Sequence, residues 1–312
     1  MENKKLTGHI ALFSANIIFG MNTPISRTLM PEILSPYTLT FFRLAGGLIL
    51  FWIVSLFLKK EKVPAKDILL LFFASLFALV LNQLPFFVGL SMTSPIDASI
   101  VVTMLPIVTM FLAAVIIKEP ITLMKTIGVL VGASGALLIV FNSTADEVGH
   151  SNFWGNIIVF GAVTSFAIYL TVFKKLISRY SPVTIMKWMF LFGTLVSLPF
   201  CYKPLIETDF SLLTSGTFWR IGYMVVFATF FGYLLIPVGQ KVLRPTTFSM
   251  YNYVQPVVAS LMAIFIGIDT FGYEQALAAV LVFSGVYIVT QSKSKAQLDA
   301  AKANKNLNSP SN

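Results

Sequence analysis

Residues 249–256 read Ser-Met-Tyr-Asn-Tyr-Val-Gln-Pro, a run of hydrogen-bonding side chains in an otherwise strongly apolar chain. On a helix, Tyr251 and Gln255 stand four residues apart and Asn252 and Gln255 three apart, so one face offers several donors and acceptors. Pro256 has no N–H for the preceding turn, which leaves a carbonyl near Asn252 unclaimed. That chemistry suits recognition of a polar solute. Leu-Asn-Gln-Leu-Pro at 81–85 joins Asn82 and Gln83 to Pro85 in the same spirit. Asn16, Asn22, Arg43, Thr103, Tyr169, Lys187 and Tyr253 are further polar groups in apolar surroundings. Each also has a structural reading, because Asn, Gln and Tyr in apolar helices commonly hydrogen-bond a neighbouring helix.

Nothing in the sequence brings a nucleophile and a base together, or two carboxylates, as catalysis requires. No His, Cys and Asp cluster suggests a metal. Gly128, Gly132 and Gly135 follow no strand, so they read as a close-packing helix face, with Gly285 recurring late in the chain, and not as a nucleotide loop. Neither a cofactor nor an enzymatic activity is expected. Cys201 is the single cysteine, which excludes an intramolecular disulfide.

These residues are positioned by long apolar segments. Of 312 residues, 56% are hydrophobic and 11% charged, against about 25% charged in an ordinary soluble domain. A bilayer-spanning helix needs about 20 mostly apolar residues. Ten such runs are present, at 7–25, 36–57, 68–90, 95–117, 122–141, 153–173, 182–201, 218–239, 245–267 and 272–290. The runs are continuous and not alternating, so they predict helices and not barrel strands. The first is longer than a signal-peptide core and lacks a small-residue cleavage site, and is read as a retained helix.

Charge sets the expected orientation. With the N-terminus inside, the inner segments hold Lys4 and Lys5, Lys59 to Lys66, Lys118 and Lys125, Lys174 to Arg179, Lys241 and Arg244, and the tail lysines, 17 of the 22 basic residues. Only Arg27, Lys203 and Arg220 fall outside, which predicts both termini in the cytoplasm and a cytoplasmic-membrane location. Spread over loops in this way, the net charge of +9 argues against nucleic-acid binding. The lipid bilayer and a small-molecule substrate are the expected partners, and a homodimer is left open.

Offset by 150 residues, the chain matches itself: Gly89 falls on Gly239, Pro95 on Pro245, Pro106 on Pro256, Glu119 on Asp269 and Gly135 on Gly285. The predicted fold is therefore all-α, ten transmembrane helices in two five-helix repeats at 1–142 and 153–290, followed by a polar tail at 291–312. Five is odd, so the second repeat runs inverted. Inverted repeats are typical of secondary transporters that rock about a site near the midplane. Pro85, Pro106, Pro237 and Pro256 are the expected helix-break or gating positions. Glu119 and Asp269 mark the same corner of the two halves as structural hinges, Glu119 favouring a positive helix N-terminus, with Thr122 as a cap.

The segments Phe-Gly-Met-Asn at 19–22, Ser-Pro-Tyr-Thr-Leu-Thr-Phe-Phe-Arg at 35–43, "LPIVTMFLAAVIIKEPIT" with "GVLVGASG" after it, and the later "QPVVASLMAIFIGIDTFG" resemble the EamA-type transporters of the drug/metabolite transporter (DMT) superfamily. Departures are Asp269 where glutamate is usual, Lys125 where glutamine is common, and Phe19 where tryptophan often precedes Gly20. The resemblance implies movement of a small metabolite without ATP, often export of an amino acid or related compound. Sugar or nucleotide-type uptake or exchange on the same fold, and a non-transporting receptor or assembly protein, are the alternatives.

It also makes an arginine at position 43 a general family feature, favouring a structural role over binding of a carboxylate or phosphate. The substrate-binding set is then Asn16, Arg43, Asn82, Gln83, Tyr169, Tyr251, Asn252 and Gln255, around a cavity formed by spans 1, 3, 4, 6, 8 and 9. The family's small cation exporters depend on a first-span glutamate that is absent here. Of the 13 acidic residues only Asp97 falls within a span, which makes it the candidate for proton coupling.

Overall fold

The computed structural model describes residues 2–30, 33–93, 95–142, 152–265, 273–293 and 297, and the regular structure among them is helical. The long elements are α1 (Glu2–Arg27), α2 (Pro36–Leu56), α3 (Ala65–Met92), α4 (Pro95–Val102 and Leu105–Ile116) and α5 (Leu123–Asn142). The second half repeats the series with α6 (Phe153–Val172), α7 (Pro182–Ile206), α8 (Ser215–Val242), α9 (Pro245–Met250, Tyr251–Tyr253 and Val254–Phe265) and α10 (Tyr273–Gln291). By length and composition, eight helices qualify to cross a membrane among the described residues, α1 and α9 not being among them. The apolar run of α1 is diluted by Thr7, His9, Asn16 and Asn22, and that of α9 by Thr246, Thr247, Asn252 and Gln255. The largest boundary differences are five residues each: α1 begins at Glu2, ahead of the expected 7, and α7 continues through Pro199 and Pro204 to Ile206, past the expected end at 201.

Helix starts follow from local chemistry. The Ser35 hydroxyl accepts the Thr38 N–H at 3.1 Å, and the Ser181 hydroxyl accepts that of Thr184 at 3.3 Å. Pro36, Pro182 and Pro245 occupy the first turn, where a missing N–H removes no hydrogen bond.

Irregular turns recur at the 150-residue offset. A π segment at Leu76–Val80 in α3 corresponds to one at Met224–Phe231 in α8. Each precedes an internal proline, Pro85 and Pro237, which cannot bond the carbonyl four residues back; the two prolines themselves stand two positions out of register at that offset. The break at Thr103–Met104 in α4 likewise precedes Pro106, and the Tyr251–Tyr253 turn precedes Pro256. The Tyr253 hydroxyl donates to the Thr103 carbonyl at 3.0 Å, tying one break to the other.

The packing has the same regularity. Helix α2 lies on α7, α5 on α10, α1 on α8 and α3 on α6, an arrangement unchanged when every helix is replaced by the one five places on. Along α5 and α10 the backbones nearly touch: a Cβ on Gly285 would lie 2.5 Å from the Gly132 nitrogen and 2.6 Å from the Gly128 carbonyl oxygen. This is the close-packed face read from the glycine spacing.

The corner between α4 and α5 is tighter than helix-dipole reasoning implies. Lys118 adopts φ 53°, and the next N–H, that of Glu119, returns to the Ala113 carbonyl at 3.0 Å, closing α4 in the manner of a left-handed C-cap. Thr122 caps α5 by accepting the Lys125 N–H at 3.2 Å. The Glu119 carboxylate accepts from the Lys125 ammonium at 2.9 Å, and that ammonium also donates to the Pro120 carbonyl at 2.6 Å. Thr246, from the second half, donates to the other Glu119 oxygen at 3.4 Å. Glu119 is therefore a buried ion-pair partner as well as a corner residue. Its sequence counterpart Asp269 lies outside the described residues.

Thermal unfolding of the purified full-length protein checks this packing at two places. Gly285→Ala forces two backbones apart and destabilises by about 1–3 kcal/mol, whereas Gly161→Ala, where an added Cβ meets nothing within 4 Å, leaves the midpoint unchanged. Glu119→Gln strands Lys125, which is 1% exposed, and lowers stability by about 3 kcal/mol. Adding Lys125→Gln recovers part of that loss; a loss in the double variant equal to the sum of the two single-variant losses would show that the pair is not coupled.

Candidate functional site

The helix breaks surround a cavity of about 280 Å³ between the two halves, close to the lower end of the roughly 300–1,000 Å³ typical of small-molecule sites. Its walls come from α1, α3, α4, α6, α8 and α9, the six expected elements, and α2 adds Arg43. On α1 the lining runs from Leu12 to Ser26, about 20 Å at 1.5 Å per residue, from the middle of the bundle toward the end opposite the lysine-rich loops. Phe19, Phe86, Phe166 and Phe248 supply an apolar wall.

Six of the eight sequence candidates line this space: Asn16, Arg43, Asn82, Gln83, Asn252 and Gln255. Tyr169 does not. It stacks between Phe166 and Phe173, with its buried hydroxyl lacking a hydrogen-bond partner. Tyr251 also lies outside the lining, its hydroxyl 2.6 Å from His9 Nδ1. Asp97 belongs to the first turn of α4, and its side chain is outside what is described.

The lining residues divide by how much hydrogen-bonding capacity they retain. Asn16 accepts from the Gln255 amide at 2.8 Å and donates to the Leu12 carbonyl at 2.8 Å. Asn82 donates to the Ala162 carbonyl at 3.0 Å. These bonds hold helices together, as the structural reading of such residues expects. Gln83, in contrast, is 4% exposed with neither amide atom partnered, and the Asn22 carbonyl oxygen is likewise unpartnered.

Arg43 is 6% exposed; its Nε donates to Thr229 at 3.2 Å and its guanidinium lies 5.8 Å from the centre of the Phe87 ring. Its two terminal nitrogens donate to no described residue. Thr229 and Tyr233 are not among the residues singled out from sequence. The signal was present, since 229, 233 and 236 share one helical face of α8 and Tyr233 and Ile236 both line the cavity.

Known proteins share this architecture. The EamA-like transporter family matches this chain twice, over residues 6–141 and again over 153–291. The chain belongs to the EamA-like transporter family. Similar members include an uncharacterized transporter of Archaeoglobus fulgidus, 26% identical over 83% of this chain and 90% of that protein. The uncharacterized transporter YetK of Bacillus subtilis is 22% identical over 98% and 94%. A WAT1-related protein of Arabidopsis thaliana is 21% identical over 95% and 87%. A solved crystal structure at 15% identity superposes with a TM-score of 0.74, covering 92% of this chain and 98% of the other, which supports the fold. With its eight qualifying helices, this EamA family member is a multi-pass membrane protein.

At the lysine-rich end of this EamA chain, charged contacts join the two halves. Arg179 donates to Asp67 at 3.1 Å and the Tyr180 hydroxyl donates to the same carboxylate at 2.5 Å. Arg244 lies 3.9 Å from Glu119 and donates to the Ser292 carbonyl at 2.8 Å. The Lys174 ammonium donates to the carbonyls of Gln240, at 3.2 Å, and Leu243; burial pushes it down to about 8, with Glu119 pulling the other way. Glu61 accepts from the Ser181 N–H at 2.9 Å and its hydroxyl at 2.8 Å, at the start of α7. At the opposite end the contacts between halves are uncharged among the described residues: Thr38 with Thr208 at 3.1 Å, and Thr93 donating to Asn156 at 2.7 Å.

Partial burial works against the charged form of Glu61, yet hydrogen bonds from Thr184 and Ser181 outweigh it and hold the carboxyl below its ordinary value of 4.5. A depressed acid stabilises the fold fully above the ordinary value, and that contribution fades as pH falls through the depressed one. Glu61→Gln is therefore expected to lower the unfolding midpoint at pH 7, with the gap to wild type closing in progressively more acidic buffer. A gap that stays constant down to pH 3 would show that the ionised carboxylate contributes nothing.

Proposed function

We propose that this protein is a secondary transporter that moves a small metabolite, an amino acid or related compound, outward across the cytoplasmic membrane by alternating access. In this reading ten helices cross the bilayer as two inverted five-helix repeats, 1–142 and 153–290, with both termini cytoplasmic. The observation that carries it is the cavity between the halves, which combines unpartnered polar side chains with helix breaks at matching positions in each half. Broken helices at the midplane, related by an inverted repeat, are the usual architecture of carrier binding sites. The double family match and the symmetric packing support the repeat, and the bias of 17 basic residues toward one side supports the orientation.

Asn16, Asn82, Asn252 and Gln255 shape the site, and Gln83 and Arg43 contact the substrate. Pro85, Pro106, Pro237 and Pro256 keep the breaks open and act as gating points. The charged contacts at the lysine-rich end form the closed gate of an outward-open state, and their release admits substrate from the cytoplasm. Asp97 is the candidate proton carrier.

Reconstituted into liposomes, the wild-type protein is expected to exchange substrate from a metabolite panel with saturable kinetics. Gln83→Ala is expected to lower flux at least about tenfold, the effect of losing roughly 1.4 kcal/mol of substrate interaction, at normal protein abundance. Absence of saturable flux across the panel, in protein that retains wild-type thermal stability, would overturn the reading. Unchanged proton-driven flux in Asp97→Asn would remove Asp97 from the coupling role.

A further inference from the structure

The cavity holds one formal charge among the described residues, the Arg43 guanidinium, and no carboxylate lines it. Resting on the transport reading above and narrowing its substrate from an amino acid to the related compounds that lack the amine, we infer that the substrate is a monoanionic carboxylate without an ammonium group, seated with its carboxylate on Arg43 and Gln83 and its apolar body against the phenylalanine wall.

The site is electrically unbalanced. A charge held away from water is costly unless it is paired, and intramembrane arginines ordinarily find an anion or backbone carbonyls. Among the described residues Arg43 has one hydrogen-bond partner, the neutral Thr229 at 3.2 Å, with the face of Phe87 and the neutral Tyr233 also close to it. Its terminal nitrogens, the pair that makes a planar fork for a carboxylate, remain available. Gln83 is buried in the lining of the same cavity with its amide unpartnered, one helical turn from the Phe87 whose ring faces Arg43, so its N–H groups can donate to the same anion.

Charge balance then selects among anions. A monocarboxylate brings the site to zero net charge, whereas a phosphate monoester would leave excess negative charge in an apolar enclosure. An amino acid would carry its ammonium into a cavity whose other polar groups are amides and hydroxyls, with no acidic side chain among the described residues to pair it. Phe19, Phe86 and Phe166 accommodate the apolar remainder.

Two matched probe series decide the point with purified full-length protein, binding being read from the ligand-concentration dependence of the thermal unfolding midpoint. One is hexanoate with hexanamide, norleucine and hexylamine; the other is 3-phenylpropanoate with its amide, phenylalanine and 2-phenylethylamine. Phenyl phosphate serves as the dianion. In wild type, at least one of the two carboxylates is expected to bind about tenfold or more tightly than its amide, amino-acid and amine counterparts, as a charge-assisted hydrogen-bond pair predicts. In Arg43→Gln that preference should collapse, while amide binding changes by less than about twofold; Arg43→Lys, which keeps the charge without the fork, should retain part of it.

Tighter binding of an amino acid, an amine or phenyl phosphate, or binding of none of the probes, overturns the assignment. Because the wild-type series stands by itself, a variant that does not fold leaves its outcome decisive. Flux in liposomes separates the two readings. Carboxylate binding without saturable flux defeats transport and keeps the anion site, while flux of a zwitterion or amine does the reverse.

Discussion

Backbone hydrogen bonds that cannot be exchanged for bonds to water govern this molecule. In the hydrocarbon of a bilayer each N–H and C=O needs a partner within the protein, which confines the lipid-facing chain to uninterrupted helix and allows irregular backbone only where it is buried or lines a cavity. The breaks in α4 and α9 lie beside the cavity residues Val102, Leu105 and Asn252, while the π segments of α3 and α8, the latter with Val226, Phe227 and Phe231 exposed, stay bonded within the helix, Leu81 N–H to the Leu76 carbonyl and Gly232 N–H to that of Phe227. They belong to the helices that enclose the cavity, and the Tyr253 hydroxyl meets the Thr103 carbonyl where two breaks face each other. α2, α5, α7 and α10, which contribute at most one cavity residue, run without such turns.

The same solvent determines where charge is tolerated. Glu119 and Lys125 neutralise one another at the end of the bundle, and Arg244 and Thr246 extend that pair across the boundary between halves. Buried pairs of this kind are weak sources of net stability because desolvation offsets attraction, but losing one member is costly. The opposite end is joined by hydroxyl and amide contacts among the described residues, and the cavity extends toward it.

Much of the architecture was legible in the sequence because it rests on one-dimensional properties. Apolar run length located the helices to within a few residues, except at the start of α1, where the mostly polar residues 2–6 are helical, and at the end of α7, where Pro204 looks like a stop but is carried inside the helix. The glycine spacing announced the contact of α5 with α10, and Ser-Pro pairs announced the starts of α2 and α7. Six of eight candidate polar residues reached the cavity. The exceptions are instructive: Tyr169 and Tyr251 have the right chemistry, but their rings were claimed by neighbouring aromatics and by His9. No local pattern reports which neighbour a side chain will meet across 242 positions.

By itself, then, the sequence determined the helical class, the repeat with its proline positions, and the asymmetric charge of the loops. Hydropathy, proline geometry and lysine placement act through the chain segment that carries them, so no tertiary information is needed to read them. Tertiary packing alone decided which polar groups are spent and which are spare. Asn16 and Gln83 look equivalent in the sequence; the first is consumed by Gln255 and the second is left unpartnered in a cavity wall beside a guanidinium whose Nε meets Thr229, 186 residues away. That distinction depends on the positions of helices remote in sequence, because a hydrogen bond is made or left unmade by a few tenths of an ångström.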